Sequence, residues 1–181
     1  MAYVNLVDPN TATGTTVEHL AQIKGAFGMV PNMFKVAANS PAALASMWGS
    51  FGALSQGRLG AKLGEQIAVA VADRNNCNYC LAAHTMLGKK AGATTAEMTA
   101  AQKGQSADPK TAAILAFVQK VVESRAEISA VDVQALRNVG LDDQDVVEVM
   151  AHIALNLFTN YVNVGFDVPV DFPGVKLSRA A

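Results

Sequence analysis

Both cysteines of this 181-residue chain stand in one C-x-x-C motif, Cys77 and Cys80, and His84 follows four residues after the second. A thiolate serves as nucleophile, redox centre or metal ligand, and imidazole exchanges protons near neutral pH. Residues three or four apart share one face of a helix. The three side chains would therefore lie together, in a site that can cycle between dithiol and disulfide.

A helix must carry this motif. Asn76 is predicted as its N-cap, because asparagine is favoured there. The helix is predicted to place Cys77 in its first turn and to continue through Leu87. Gly88 or Gly92 can supply the left-handed residue that ends it.

Two physical arguments favour different cysteines as the nucleophile. Cys77, nearer the positive end of the helix dipole, is predicted to be the more acidic thiol. Cys80 is one turn from His84 and so lies within reach of a base. We give more weight to the base, and hence to Cys80.

Glu65 is a carboxylate in an otherwise apolar segment, twelve residues before Cys77. Residues 61–74 are predicted to form a helix that is apolar on nearly all sides and therefore buried. If that helix packs on the cysteine helix, Glu65 is partly desolvated. Its pKa would then be raised, which suits proton transfer.

Other interpretations of the cysteine pair stay open. The pair could be half of a zinc site completed by His84, Glu65 or His152, although no second cysteine pair exists. It could also be two inert core cysteines. A c-type haem site needs histidine directly after the second cysteine, and Leu81 stands there.

The E-x(11)-C-x-x-C-x-x-x-H spacing resembles the AhpD-like branch of the carboxymuconolactone decarboxylase superfamily, and so do the segments VPNMF (30–34), NSP (39–41) and FTN (158–160). The resemblance implies one domain over residues 1–181, with an all-α bundle of about eight to nine helices. It also implies a homo-oligomer (dimer, trimer or hexamer) and thiol-based reduction of hydroperoxides.

The resemblance assigns roles to individual residues. Cys80 would attack the peroxide, Cys77 would resolve the sulfenic acid into a disulfide, and Glu65 and His84 would relay protons. No bound cofactor is implied, and a lipoyl or thioredoxin-like dithiol would reduce the disulfide again. The chain departs from better-studied members at Tyr79, where they have histidine.

Composition limits the function classes. The chain is 51% hydrophobic and 16% charged, which indicates that some helices face other subunits. A net charge of −1 gives no electrostatic support for nucleic-acid binding. No apolar run reaches the length of a membrane span, and residues 1–10 do not resemble a secretory signal. We expect a cytoplasmic protein that binds neither nucleic acid nor membrane.

Capping signals predict the other helices. The predicted N-caps are Thr15 (with Glu18 in a capping box), Ser40, Thr94, Asp108, Ser129 and Asp142, and Pro31 is predicted as the first residue of a short helix. His19 is predicted to be a surface residue. The tail from residue 164 is predicted to be extended and able to reach a neighbouring subunit.

Two sets of residues outside the motif remain ambiguous. His152, Asn156 and Asn160 are four apart on the predicted last helix, so they form a solvated face, a subunit contact or the far wall of a site. Trp48 and Phe51 are predicted to be core residues that could also form a pocket wall.

The residues and the family resemblance are therefore consistent with three functions. The first is thiol-dependent reduction of hydroperoxides through the C-x-x-C pair. The second is a redox-sensing or disulfide-reductase helical oligomer without significant peroxidase turnover. The third is a zinc-binding module.

Overall fold

The structure is a computed structural model that describes residues 2–178, and these residues form nine α-helices and no β-strand. The helices are α1 (Thr15–Phe27), α2 (Asn32–Ala37), α3 (Pro41–Leu54), α4 (Gly60–Arg74), α5 (Asn78–Lys90), α6 (Thr95–Gln102), α7 (Pro109–Glu123), α8 (Ala130–Asn138) and α9 (Asp143–Gly165). The predicted all-α fold class is confirmed. Within the described range, no helix has the length and apolar character needed to cross a membrane.

α4 is the central helix, because α5, α6, α7 and α9 all pack against it. Its residues 66–73 are buried without interruption. A helix with no exposed face is stable when neighbours cover every side. Glu65 directly precedes this buried run and is partly buried, so it lies at the edge of the core.

Side-chain caps begin most helices where the sequence predicts. The hydroxyl or carboxylate of each predicted cap accepts a hydrogen bond from the backbone amide three residues on, at Ser40, Thr94, Asp108, Ser129 and Asp142. The predicted capping box of Thr15 and Glu18 is wrong. Thr15 is already helical, and the N-cap is Gly14, with a φ of 63°. Pro31 is the N-cap of α2 and not its first residue.

Three side chains differ in burial from the prediction. Helical periodicity in the sequence predicts Val17 and Tyr161 on the inward-facing apolar stripes of α1 and α9, but they are 42% and 66% exposed. His19, predicted to lie on the surface, is half-buried. Each lies at the margin of its helix's apolar stripe, where the exact direction of the packing partner decides burial and periodicity alone does not.

The C-terminal tail packs over its own chain, although the sequence suggests a reach toward a neighbouring subunit. The Asn32 amide donates a hydrogen bond of 2.8 Å to Asp171 Oδ2. The ring of Phe172 packs edge-on against Tyr79, with centroids 5.5 Å apart. Farther along, the Ser178 amide donates to the buried Asp73 carboxylate at 2.8 Å. The tail therefore covers the start of α5, where the cysteines lie.

Candidate active site

A tight turn between α4 and α5 presents the cysteines. Asn76 adopts a left-handed backbone with φ of 53°, a conformation that asparagine tolerates better than most residues. Cys77 is the N-cap of α5, and its Sγ accepts a hydrogen bond of 3.2 Å from the Cys80 amide. The predicted N-cap, Asn76, is therefore one residue too early.

Gly88 lies inside α5 and does not end it. A Cβ at this position would overlap Met98 and lie 3.3 Å from the Glu65 Cβ. The missing side chain therefore allows α5 to approach α4 closely. The helix ends after Lys90, and Gly92 follows with φ of 89°.

This close approach joins Glu65 to His84. His84 Nδ1 donates to Glu65 Oε2 at 2.7 Å, and His84 is only 8% exposed. Burial opposes protonation of the imidazole. The Glu65 charge, its hydrogen bond and the charge of Cys80 outweigh that effect and raise the pKa of His84 above its ordinary value. Glu65 therefore packs beside the motif helix α5, as the sequence predicts.

Cys80 lies in a polar cradle inside the core. Asn163 Nδ2 donates a hydrogen bond of 3.1 Å to Cys80 Sγ, and the residue is 2% exposed. Burial opposes ionisation of this thiol. The hydrogen bond from Cys77, the charge of His84 and the amides of Asn163 and Asn160 outweigh burial, and the pKa of Cys80 falls to about 7.

Cys77 has the opposite tendency. Its hydrogen bond to Cys80, burial and the Cys80 charge all raise the pKa of the Cys77 thiol. The helix-dipole argument, which makes Cys77 the more acidic thiol, is wrong here because a neighbouring thiolate holds the proton on Cys77. Both cysteines are free thiols. Across residues 2–178, no cluster of three or more histidine, cysteine or acidic side chains is arranged to hold a metal ion.

Asparagines of α9 form the wall opposite α5. Asn156, Asn160 and Asn163 are all buried, and Asn160 Oδ1 accepts a hydrogen bond of 3.0 Å from Asn75 Nδ2. The polar strip therefore divides: Asn160 lies with Asn163 beside Cys80, whereas His152 and Asn156 line a second cavity next to Glu65. Asn163 was missed because the helix was predicted to end there. Extending the spacing 152, 156, 160 by three residues could have found it.

An apolar cavity, here called the cysteine cavity, adjoins Cys80 and His84. Its volume is about 30 Å³, which is room for one or two water molecules. The remaining lining is largely aromatic and includes Phe27, Phe34, Phe51, Tyr79 and Phe172. Phe51 is thus a pocket wall. Trp48 does not line the cavity; it packs edge-on against Phe34, with centroids 5.7 Å apart.

Tyr79 fixes one side of this cavity. Its hydroxyl accepts a hydrogen bond of 3.2 Å from the Met33 amide, which ties α5 to the start of α2. Burial, and also the nearby Asp171 carboxylate and Cys80, raise the pKa of Tyr79. The phenol therefore stays neutral at physiological pH and serves as a structural tie.

Residues 41–123, which include Glu65, both cysteines and His84, match the carboxymuconolactone decarboxylase family. The fold matches the AhpD core of a peroxidase-related protein from Ralstonia eutropha with a TM-score of 0.86, at 22% identity over 94% of this chain and 92% of that one. Residues 41–123 therefore carry a carboxymuconolactone decarboxylase family domain, and the chain as a whole has the AhpD-like fold. The predicted family is confirmed.

Two other solved structures match the fold over a similar share of the chain. A peroxidase-related protein from a Silicibacter species has a TM-score of 0.82, at 23% identity over 93% of this chain and 91% of that one. The debrominase Bmp8 has a TM-score of 0.80, at 19% identity over 93% and 91%. No curated protein matches the sequence significantly. The AhpD-like fold therefore accommodates more than one chemistry.

Proposed function

We propose that this AhpD-like protein reduces hydroperoxides with the Cys77–Cys80 dithiol. One observation carries the proposal: Cys80 is the sulfur on which Cys77, the Glu65–His84 pair and Asn163 converge, at the wall of an apolar cavity. A thiolate is the reactive form of cysteine, and a thiol pKa near the ambient pH combines thiolate population with nucleophilicity.

The oxidative half-reaction follows from this arrangement. Cys80 Sγ attacks the terminal oxygen of the hydroperoxide and the O–O bond breaks. The leaving alkoxide takes the proton held by His84, and Cys80 becomes a sulfenic acid. Cys77 Sγ then attacks that sulfur. Its thiol proton leaves with the hydroxyl group as water, and the two sulfurs form a disulfide.

A dithiol donor completes the cycle. A lipoyl or thioredoxin-like partner gives two electrons, releases its two thiol protons to solvent and becomes a disulfide itself. Two protons taken up by the site then restore the Cys77 thiol and the Cys80–His84 ion pair. Cysteine sulfur is therefore the only group of the protein that is oxidised and reduced in this cycle. We further expect a homo-oligomer that uses the apolar side chains exposed along and beyond α9, namely Val147, Tyr161, Val164 and Phe166.

A free-thiol count with mass detection tests the proposal. After one equivalent of cumene hydroperoxide, the wild-type protein should lose both thiols and the mass of two hydrogens, and a dithiol such as reduced lipoamide should restore them over many cycles. Cys80→Ser should abolish turnover. Full peroxidase activity in Cys80→Ser, or unreactive thiols in the wild type, would refute the proposal. One oxidation with a change in oligomer size and negligible turnover would support the redox-sensor alternative.

A second candidate reaction uses the same dithiol. Aromatic rings line much of the cysteine cavity, which would have to widen beyond its volume of about 30 Å³ to admit a flat aromatic substrate, and the similarly folded Bmp8 is a debrominase. In such a reaction the dithiol would become a disulfide while a ring carbon exchanges bromine for hydrogen and bromide leaves. A variant of Bmp8 has been solved in complex with 2,3,4-tribromopyrrole. Bromide release from this compound, compared with peroxide consumption under the same conditions, separates the two activities.

A further inference from the structure

The Glu65–His84 pair stands between two cavities. The cysteine cavity reaches His84 from the side of Cys80. A second, partly open cavity of about 170 Å³, here called the histidine cavity, reaches the pair from the other side and is lined by Glu65, His84, His152 and Asn156. Cys80 borders only the first cavity, and Glu65 borders only the second. The pair therefore separates a small apolar chamber from a larger one whose lining includes polar side chains.

His152 is the second titratable imidazole at this position. Its ring lies against Gly64, where a Cβ would stand 3.1 Å from the ring carbon Cε1. The glycine before Glu65 thus leaves room for the imidazole. Among residues 2–178, His152 Nε2 and Asn156 Oδ1 are buried and have no protein hydrogen-bond partner. Such buried polar atoms are generally satisfied by water, and a cavity of about 170 Å³ beside them has room for it.

The charges around His152 suit proton exchange. Burial lowers the pKa of His152 below its ordinary value, although Glu148 and Glu65 act in the opposite direction. Glu148 is itself held by the Leu59 amide at 2.9 Å and lies near Arg58. His152 is therefore neutral at pH 7 and able both to accept and to release a proton.

The proposed reaction needs such a route. The peroxide step removes the proton from His84, which must regain one before the next turnover. The cysteine cavity is small and apolar, whereas Glu65 and His152 both line the larger histidine cavity. We propose that protons return to the Glu65–His84 pair from solvent through the histidine cavity, and that His152 is the positioning residue that passes them to Glu65. This inference rests on the proposed function.

The test separates the first turnover from later ones. His152→Gln keeps a polar side chain and loses titration, while His19→Gln makes the same change on α1, away from both cavities. In a single turnover, His84 starts protonated, so His152→Gln should oxidise at the wild-type rate. In steady state with excess dithiol, its kcat should fall at least about tenfold. Added imidazole should restore much of the loss, and His19→Gln should match the wild type throughout.

Other outcomes overturn the inference. An unchanged kcat in His152→Gln would do so, and so would equal losses in single and multiple turnovers that imidazole does not restore. Gly64→Ala, which pushes on the imidazole while keeping it, should show a smaller kcat loss of the same kind. If the wild-type thiols do not react with peroxide, the proposed function itself fails and this route fails with it.

Discussion

Asn163 Nδ2 donates a hydrogen bond of 3.1 Å to Cys80 Sγ, between residues 83 positions apart in the sequence. The contact joins the end of α9 to the first turn of α5 and places an uncharged donor on the thiolate. Together with His84 and Cys77 it offsets the burial that would otherwise keep Cys80 protonated. The acidity of Cys80 is thus a product of tertiary structure.

Removing this donor should make Cys80 less acidic. In Asn163→Leu, which keeps most of the volume, we expect the thiol pKa to rise by about one unit, and the alkylation rate at pH 6 should fall about tenfold. The pH dependence of iodoacetamide alkylation measures both values. Asn138→Leu, at an exposed position at the end of α8, is the control. An unchanged pKa in Asn163→Leu would show that the contact does not stabilise the thiolate.

The pH dependence of Cys80 should report the charge of His84. The pKa of Cys80 is about 7, so its reaction with an alkylating reagent should increase with pH and reach half its maximum near pH 7. In His84→Gln the cation is lost and burial remains, so the midpoint should move upward toward or beyond 9.0, the ordinary value. At pH 7 the rate should fall at least about tenfold. A midpoint that stays near 7 would exclude His84 as the source of this acidity.

Tyr79 should matter for stability more than for activity. Tyr79→Phe removes the acceptor of the Met33 amide and leaves a buried donor unpaired, which costs about 1–3 kcal/mol in the free energy of unfolding. Because the phenol stays neutral, peroxide turnover should remain within about twofold of the wild type. Chemical denaturation and steady-state assays at one pH measure the two effects. A large loss of kcat in a stable Tyr79→Phe protein would instead make the phenol a proton relay.

The tail should control access to the cysteines. Phe172 lines the cysteine cavity and packs on Tyr79. Phe172→Ala should speed the alkylation of Cys80 by a bulky maleimide several-fold, without moving the pH midpoint that reports the pKa of Cys80. Phe166→Ala, at a position 40% exposed beyond α9, should leave the rate unchanged. Equal rates in all three proteins would show that the tail does not limit access.

The sequence predicted what depends on local interactions. Each of the five caps that it placed correctly bonds an amide three residues away, so the capping residue and its partner lie in one short segment. The spacing of Cys77, Cys80 and His84 likewise fixes their common helix face. The fold class followed from these local periods and from the family resemblance.

The remaining parts of the site depend on packing between distant segments. Asn163, Gly88 and Phe172 acquire their roles only when α9, α4 and the tail meet α5. Local rules also failed at the turn before α5, where Asn76 takes a left-handed conformation and passes the capping role to Cys77. The helix-dipole argument failed for a different reason, since it ignored the neighbouring sulfur of Cys80.

The assignment of Cys80 as the attacking sulfur is tested most directly by stopping the reaction after its first step. In Cys77→Ser, Cys80 has no resolving thiol. One equivalent of hydroperoxide should therefore add one oxygen to Cys80 as a sulfenic acid, which dimedone traps and peptide mass spectrometry locates. Cys80→Ser should gain no oxygen at Cys77 on the same timescale. Rapid oxidation of Cys77 in Cys80→Ser, with Cys80 inert in Cys77→Ser, would contradict the assignment of Cys80 as the attacking sulfur.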